Sequence, residues 1–227
     1  LFLSEKDIQL GRGEPITDSA IVISSMVDAV MLRLSSHEDI TEFSKHSTKP
    51  VINALSDESH PCQILADLMT YQEQRGSIKG KKIAWIGDGC NVCQTYMQAA
   101  NIFDFSLSIA TPEGYEPSQS YVDKYQNNIE YFNKPLDACI DADIIVTDVW
   151  TSMGQESEQK ERELAFKGFQ VDEEMMSKAK NDVIFMHCLP AYRGKEVSAD
   201  VIDGKQSVIW DEAENRLHVQ KALLLYL

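Results

Sequence analysis

Apolar residues along the 227-residue chain fall into two alternating patterns. The first is a short, β-branched run: "PVINAL" at 50–55, "KKIAWIG" at 81–87, "FSLSIA" at 105–110, "IEYF" at 129–132, "DIIVTDVW" at 143–150, "DVIFMH" at 182–187 and "QSVIW" at 206–210. The second is a helical stripe, as in Pro61 to about Arg75, where Leu65, Leu68 and Met69 share a face. Further helices are predicted at 91–102, near 118–127, near 134–140 and from about Glu212 onward. Runs that are apolar throughout, rather than at every second residue, predict strands covered on both faces and hence a parallel sheet. Alternation of such strands with helices predicts a doubly wound α/β architecture. The glycine- and charge-rich stretch "EQRGSIKGKK" at 73–82 divides the pattern into a first and a second α/β unit. The polar segment 151–170, "TSMGQESEQKERELAFKGFQ", predicts a mobile loop running into an exposed helix, with most of its charges on a solvated face.

In open parallel sheets, ligands gather where strands end and helices begin. The residues after the predicted strands are "SDESHPCQ", "GDGCN", Asp148 with "TSMG", and the pair His187–Cys188. Polar groups of several kinds therefore converge on one sheet edge. His60 precedes Pro61, a favoured first helical residue, so it sits over a helix N-terminus that attracts anions. A histidine there can equally be a plain cap, and both readings stand. "GDGCNVC" has two glycines after a strand, but Val92 replaces the third glycine of a dinucleotide site. A tight turn exposing Asn91 is the better reading. The same stretch contains Cys90 and Cys93, a CxxC at a helix start, which admits a redox or zinc role. No second CxxC accompanies it, and one turn cysteine plus one packed cysteine is preferred. His187 and Cys188 are strand neighbours facing opposite ways, so His187 reads as structural and Cys188 as the group on the site.

Charge and cysteine content narrow the class. A net charge of −15 argues against a nucleic-acid partner, because phosphate backbones need a basic face. An anionic substrate must be held by a few local arginines, histidines and backbone N–H groups. Five cysteines without scaffold spacing predict a reducing, cytoplasm-like compartment. No apolar run approaches the roughly 20 residues that cross a bilayer.

The segments "HPCQILADLMT", "WIGDGCN", "ATPEGYEP", "DVWTSMGQE", "MHCLPAYRGKEV" and "DEAENR" resemble the ornithine carbamoyltransferases, in that family's order and spacing, from "DIQLGRGE" to the last helix. The resemblance implies two doubly wound domains, with carbamoyl phosphate bound by 1–75, ornithine by 76–210, and a helix at 211–227 returning to the first domain. It implies carbamoyl transfer from carbamoyl phosphate to the δ-amine of L-ornithine, without metal or organic cofactor, in a homotrimer or an assembly of trimers. Carried over by position, Arg33, His60 and Gln63 bind carbamoyl phosphate, and Gln9 reaches it from a neighbouring subunit. Asn91, Asp148, Ser152 and Met153 hold ornithine. Cys188, Leu189 and Arg216 line the place where the carbamoyl group meets the amine. The catalytic set so implied is Cys188, Asp148, His60, Arg33 and Arg216. Two departures are expected to matter. Cys90 replaces the first Asn of a Gly-Asp-Gly-Asn-Asn turn, and the family's Ser-Thr-Arg-Thr-Arg phosphate loop would lie upstream of "LFLS", so the first domain reads as incomplete. Rival readings are a transcarbamoylase acting on another amine such as putrescine, and an inactive ornithine-binding module.

Overall fold

A computed structural model describes residues 2–4, 13–151 and 156–227. Its core is a five-stranded parallel sheet of β3 (Lys82–Ile86), β4 (Ser106–Ala110), β5 (Ile129–Phe132), β6 (Ile144–Thr147) and β7 (Ile184–His187), in the order β5-β4-β3-β6-β7. The uniformly apolar runs have the predicted cause. Alternate residues face opposite ways, so Ile83 and Trp85 join one buried cluster with Ile144, Val146, Ile184 and Met186. Ala84 and Ile86 join the other with Ile145 and Phe185. The chain leaves β3 toward β4 and β5, then returns to lay β6 on the other side of β3. That reversal opens a crevice at the carboxyl ends of β3 and β6, the usual ligand position in such sheets.

A second, two-stranded parallel sheet pairs β1 (Val30–Arg33) with β2 (Val51–Leu55). It carries α1 (Ile16–Ser24) and α2 (His37–His46) and leads into α3 (Pro61–Arg75). The last helix, α10 (Ile209–Tyr226), packs along α3. Asn215 Nδ2 reaches Thr70 Oγ1 at 2.9 Å and Glu73 Oε2 at 2.7 Å, and Gln74 Nε2 reaches Asp211 at 2.7 Å. Among the described residues no helix is long and apolar enough to cross a membrane.

Two expectations are corrected. "QSVIW" at 206–210 is not a strand: Ser207 makes an isolated bridge to Phe185, and the helix already begins at Ile209. Ile209 is apolar because it is fully buried beneath the sheet edge, not because it pairs in a ladder. In the segment 151–170, residues 152–155 lie outside the described residues, and α7 (Gln159–Ala165) follows a 3-10 turn at Glu156–Glu158. Its Arg162 is buried to 4% exposure rather than lying on a solvated face, because a carboxylate and two aromatic rings enclose it.

Candidate functional site

The strand order places β6 between β3 and β7, so Asp148 emerges between the segments that follow its neighbours. Cys188 Sγ donates to Asp148 Oδ1 at 3.0 Å, and Cys90 Sγ lies 3.7 Å from Oδ2. The Val149 N–H donates to Oδ1 at 2.7 Å and fixes the carboxylate plane. Both thiols are held up as S–H groups, first by burial and then by the Asp148 charge. Cys188 is therefore an S–H donor here rather than a thiolate nucleophile.

His187 lies close to this pair, one of its ring nitrogens, one Asp148 oxygen and the Cys188 sulfur falling within 4.8 Å of one another. Such a trio could coordinate a soft metal. Yet the Leu189 N–H donates to His187 Nδ1 at 2.9 Å, which leaves the proton on Nε2, 3.2 Å from Glu196 Oε1. Both nitrogens are thus occupied in holding the 187–196 turn. The Leu189–Pro190 bond within it is cis, with Leu189 at φ 54°.

The glycine turn after β3 is shaped by the chain itself. A Cβ on Gly89 would lie 2.2 Å from Pro117 N, and the Gly89 N–H donates to Tyr115 O at 2.8 Å. The second glycine thus admits the 115–117 loop, not a pyrophosphate. Cys93 is fully buried in the core, and burial raises the pKa of both CxxC thiols. That environment is opposite to the electropositive one that activates redox cysteines.

The loop from β2 to α3 is clamped onto the first turns of α4 (Asn91–Phe103). Asn91 Nδ2 donates to Ser56 O at 2.7 Å, Gln94 Nε2 to Glu58 O at 3.2 Å, and the His60 N–H to Thr95 Oγ1 at 2.8 Å. These bonds draw His60, from the first unit, to the helix that starts at Cys90 and Asn91. His60 precedes Pro61 as predicted, but its ring caps no backbone N–H, and its buried Nδ1 has no partner. Burial, and then the charges of Arg216 and Arg33, lower its pKa to about 4. The ring is neutral at pH 7, and the two arginines that act on it approach from β1 and α10.

Gln63 follows one turn along α3. Its Nε2 donates to Asp67 Oδ1 and to Glu212 Oε1, each at 2.9 Å, while its Oε1 accepts from Arg216 at 2.5 Å. Of the residues anticipated from the sequence, Arg33, His60, Gln63 and Arg216 thus form one group. Asp148, Cys188, Leu189 and Asn91 form a second, bridged to the first through Ser56, His60, Thr95 and Asn91. Gln9, Ser152 and Met153 lie outside the described residues.

Four participants were not anticipated. Asp67 and Glu212 stand four residues from Gln63 and Arg216, the spacing that puts helical side chains on one face, and that was their available signal. Asp88 and Arg162 form a buried ion pair behind the crevice; the Arg162 Nε donates to Trp150 O, and its guanidinium covers the Tyr115 ring at 4.8 Å.

The His60 environment predicts a titration. A depressed histidine pKa contributes stability that is present above the unfolded value near 6.5 and lost as pH falls through about 4, here about 3 kcal/mol. NMR of the ring should show it neutral down to about pH 4. A midpoint above 6 would contradict the packing described.

Comparison with known proteins agrees in both halves of the chain. Residues 79–227 match the family described as "Aspartate/ornithine carbamoyltransferase, Asp/Orn binding domain", and residues 1–73 match the corresponding "carbamoyl-P binding domain". A protein named ornithine carbamoyltransferase from Ruthia magnifica subsp. Calyptogena magnifica is 66% identical over 227 residues, covering 100% of this chain and 76% of that one. One of the same name from Acinetobacter baylyi is 58% identical, covering 100% and 74%. The solved ornithine carbamoyltransferase from Burkholderia thailandensis superimposes with a TM-score of 0.92 at 52% identity, over 100% of this chain and 74% of that one. The enzyme from Pyrococcus furiosus gives 0.92 at 50% identity, over 99% and 74%.

Proposed function

The chain belongs to the aspartate/ornithine carbamoyltransferase family, and on that footing we propose that it transfers the carbamoyl group of carbamoyl phosphate to the δ-amine of L-ornithine, giving L-citrulline and phosphate. The observation that carries this reading is the Asp148 carboxylate held between Cys90 and Cys188 at the β3/β6 crevice, with neutral His60 clamped to the same helix start. Carbamoyl phosphate is already an activated acyl donor, so the protein's task is to position two substrates and stabilise charge.

The ornithine δ-amine resembles a lysine amine and is protonated near neutral pH, with a pKa of about 10. The Asp148 carboxylate attracts and aligns it, and the Cys188 thiol fixes the carboxylate. Asn91 marks the neighbouring wall; Ser152 and Met153 complete the ornithine side. On the other side neutral His60 donates a ring N–H to the carbamoyl oxygen, and Arg33 and Arg216 add positive charge there. Charge on that oxygen grows in the tetrahedral transition state, which makes these donors most valuable at that point. The Leu189 carbonyl accepts from the carbamoyl NH2, and Gln9 belongs to the same half-site. The bond formed is amine nitrogen to carbonyl carbon. The ammonium proton leaves to solvent before attack, since only the neutral amine has a lone pair to form the bond. The bond broken is carbon to phosphate oxygen, and phosphate leaves with its electron pair and takes up the proton that the attacking nitrogen sheds.

We also place the protein in a reducing, cytoplasm-like compartment, since all five cysteines are unpaired, and take its working form as a homotrimer or an assembly of trimers. Citrulline formation measured with ornithine and its putrescine counterpart as competing amines tests the reaction. Product with ornithine and little with putrescine is expected. Preference for putrescine, or binding of ornithine without turnover, would replace this reading with one of its rivals.

A further inference from the structure

Two buried acids stand behind the carbamoyl-phosphate half of the site and touch none of the groups assigned to ornithine. Asp67 on α3 is 3% exposed and Glu212 on α10 is 1% exposed. Both accept from the same nitrogen, Gln63 Nε2, at 2.9 Å. Asp67 Oδ2 also accepts from the Tyr96 hydroxyl at 2.6 Å, and Glu212 Oε2 from the His187 N–H at 2.9 Å. Four elements, α3, α4, β7 and α10, therefore meet at these two carboxyls. The charged or titratable groups facing them are Tyr96, Arg216 and, beyond Tyr96, Cys188. Arg216 does not neutralise them by contact; its bond is to Gln63 Oε1, at 2.5 Å.

Two carboxylates so close and so dry do not both ionise. Burial raises both, Asp67 to about 6 and Glu212 well above its ordinary range; the Asp67 charge raises Glu212 further, while the hydrogen bond from Glu212 lowers Asp67, so the retained proton sits on Glu212. A pair retaining one proton turns the Gln63 amide into a lock. Its NH2 must point at the acids, so its oxygen must point at Arg216.

We propose that Asp67 and Glu212, sharing one proton, are positioning residues for carbamoyl phosphate: they fix the Gln63 amide with its oxygen on Arg216 and thereby set the guanidinium in place. This rests on the functional reading above and deepens it. It also makes Gln63 an acceptor toward the cleft, since its donors are already used.

The two isosteric amides separate this role from a merely structural one. Glu212 accepts through both oxygens, so in Glu212→Gln an NH2 must face either the strand N–H of His187 or Gln63. The strand N–H cannot move, and Gln63 is displaced. In Asp67→Asn the new NH2 can face Tyr96, whose hydroxyl can accept as well as donate, and Gln63 keeps its partner.

The experiment is 15N NMR of the Gln63 side-chain amide in the wild type and both variants, alongside steady-state citrulline kinetics and thermal unfolding. The amide protons should exchange slowly in the wild type and in Asp67→Asn, and fast in Glu212→Gln. The KM for carbamoyl phosphate should rise about tenfold to a hundredfold in Glu212→Gln, as loss of a charge-assisted bond implies, with the ornithine KM within about twofold. Asp67→Asn, which keeps an acceptor for Gln63 but loses the charge, should raise the carbamoyl phosphate KM less than Glu212→Gln does, again with the ornithine KM within about twofold. Equal exchange in all three proteins, or an equal rise of both KM values with a lowered unfolding midpoint, would overturn the proposal. A wild type that makes no citrulline would instead bring down the functional reading and, with it, the role in carbamoyl phosphate binding; the exchange data report on the lock alone and keep the two failures apart.

Discussion

Asp148→Asn should leave a folded protein whose kcat/KM for ornithine is lower by about three orders of magnitude, within the range for loss of a positioned charged or acid–base group. The geometry predicts both parts. The Val149 N–H at 2.7 Å requires an oxygen at the Oδ1 position, so the introduced NH2 falls at Oδ2. There it faces Cys90 and the crevice. A thiol sulfur accepts a weak hydrogen bond as readily as it donates one, so packing survives. What changes is the face shown to the substrate: a charged acceptor becomes a neutral donor, which repels the N–H bonds of the amine it should align. Circular dichroism and thermal unfolding should match the wild type within about 1 kcal/mol, as expected when no cavity or unpaired charge is created. Near-normal turnover in this variant would remove Asp148 from the reaction.

Arg162→Ala should cost about 3–5 kcal/mol of stability, because it strips the partner from a buried carboxylate. At about 2–4 °C per kcal/mol for a chain of this size, the unfolding midpoint should fall by roughly 10 °C. Burial, opposed by Arg162 and aided by Asp148, already holds the Asp88 pKa up near 6. An acid whose folded pKa is raised contributes stability that is full below the unfolded value near 3.8 and lost as pH rises through about 6. Removing Arg162 raises Asp88 further. The deficit in Arg162→Ala should therefore be large at pH 8 and shrink at pH 5, where the orphaned acid takes up a proton. Activity should suffer as well, since Arg162 also holds the Trp150 carbonyl and lies 3.5 Å from Glu158. The ends of the segment that includes Ser152 and Met153 are tied to this one guanidinium. Arg162→Lys keeps the charge but not the planar fork or the aromatic stacking, and should recover part of the loss. An unfolding deficit independent of pH would show that Asp88 is not its source.

Strands β3, β6 and β7 of the main sheet were legible because each is buried on both faces and so contains no polar alternation to obscure it, while β5, which exposes Glu130 and Tyr131, was marked by its β-branched and aromatic residues. The first unit was less legible for the converse reason. Helix α1 buries Ser19, Ala20 and Ser24 while exposing Ile21 and Val22, so its apolar residues mark the wrong face. Helix α2 is anchored by Ile40 and Phe43 alone, and β1 is only four residues long. At the site, His60, Asp148 and Cys188 announced themselves as polar residues ending apolar runs. Their mutual arrangement did not, because nothing local says that β6 inserts between β3 and β7; the family resemblance supplied only the expectation that these residues share one site. Arg162 sat in a run of charges with nothing in its spacing to distinguish it. Its burial is decided by Tyr115, Phe166 and Asp88, all distant along the chain.

The most direct measurement is a crystal structure of the protein with carbamoyl phosphate and L-norvaline, which is ornithine without its reactive amine. The account predicts both ligands in the crevice between the two units, with the norvaline side chain ending beside Cys188 and Asp148 and the carbamoyl oxygen within hydrogen-bond reach of His60, about 3 Å. Ligands bound apart, or a norvaline side chain directed away from the Asp148 carboxylate, would contradict it.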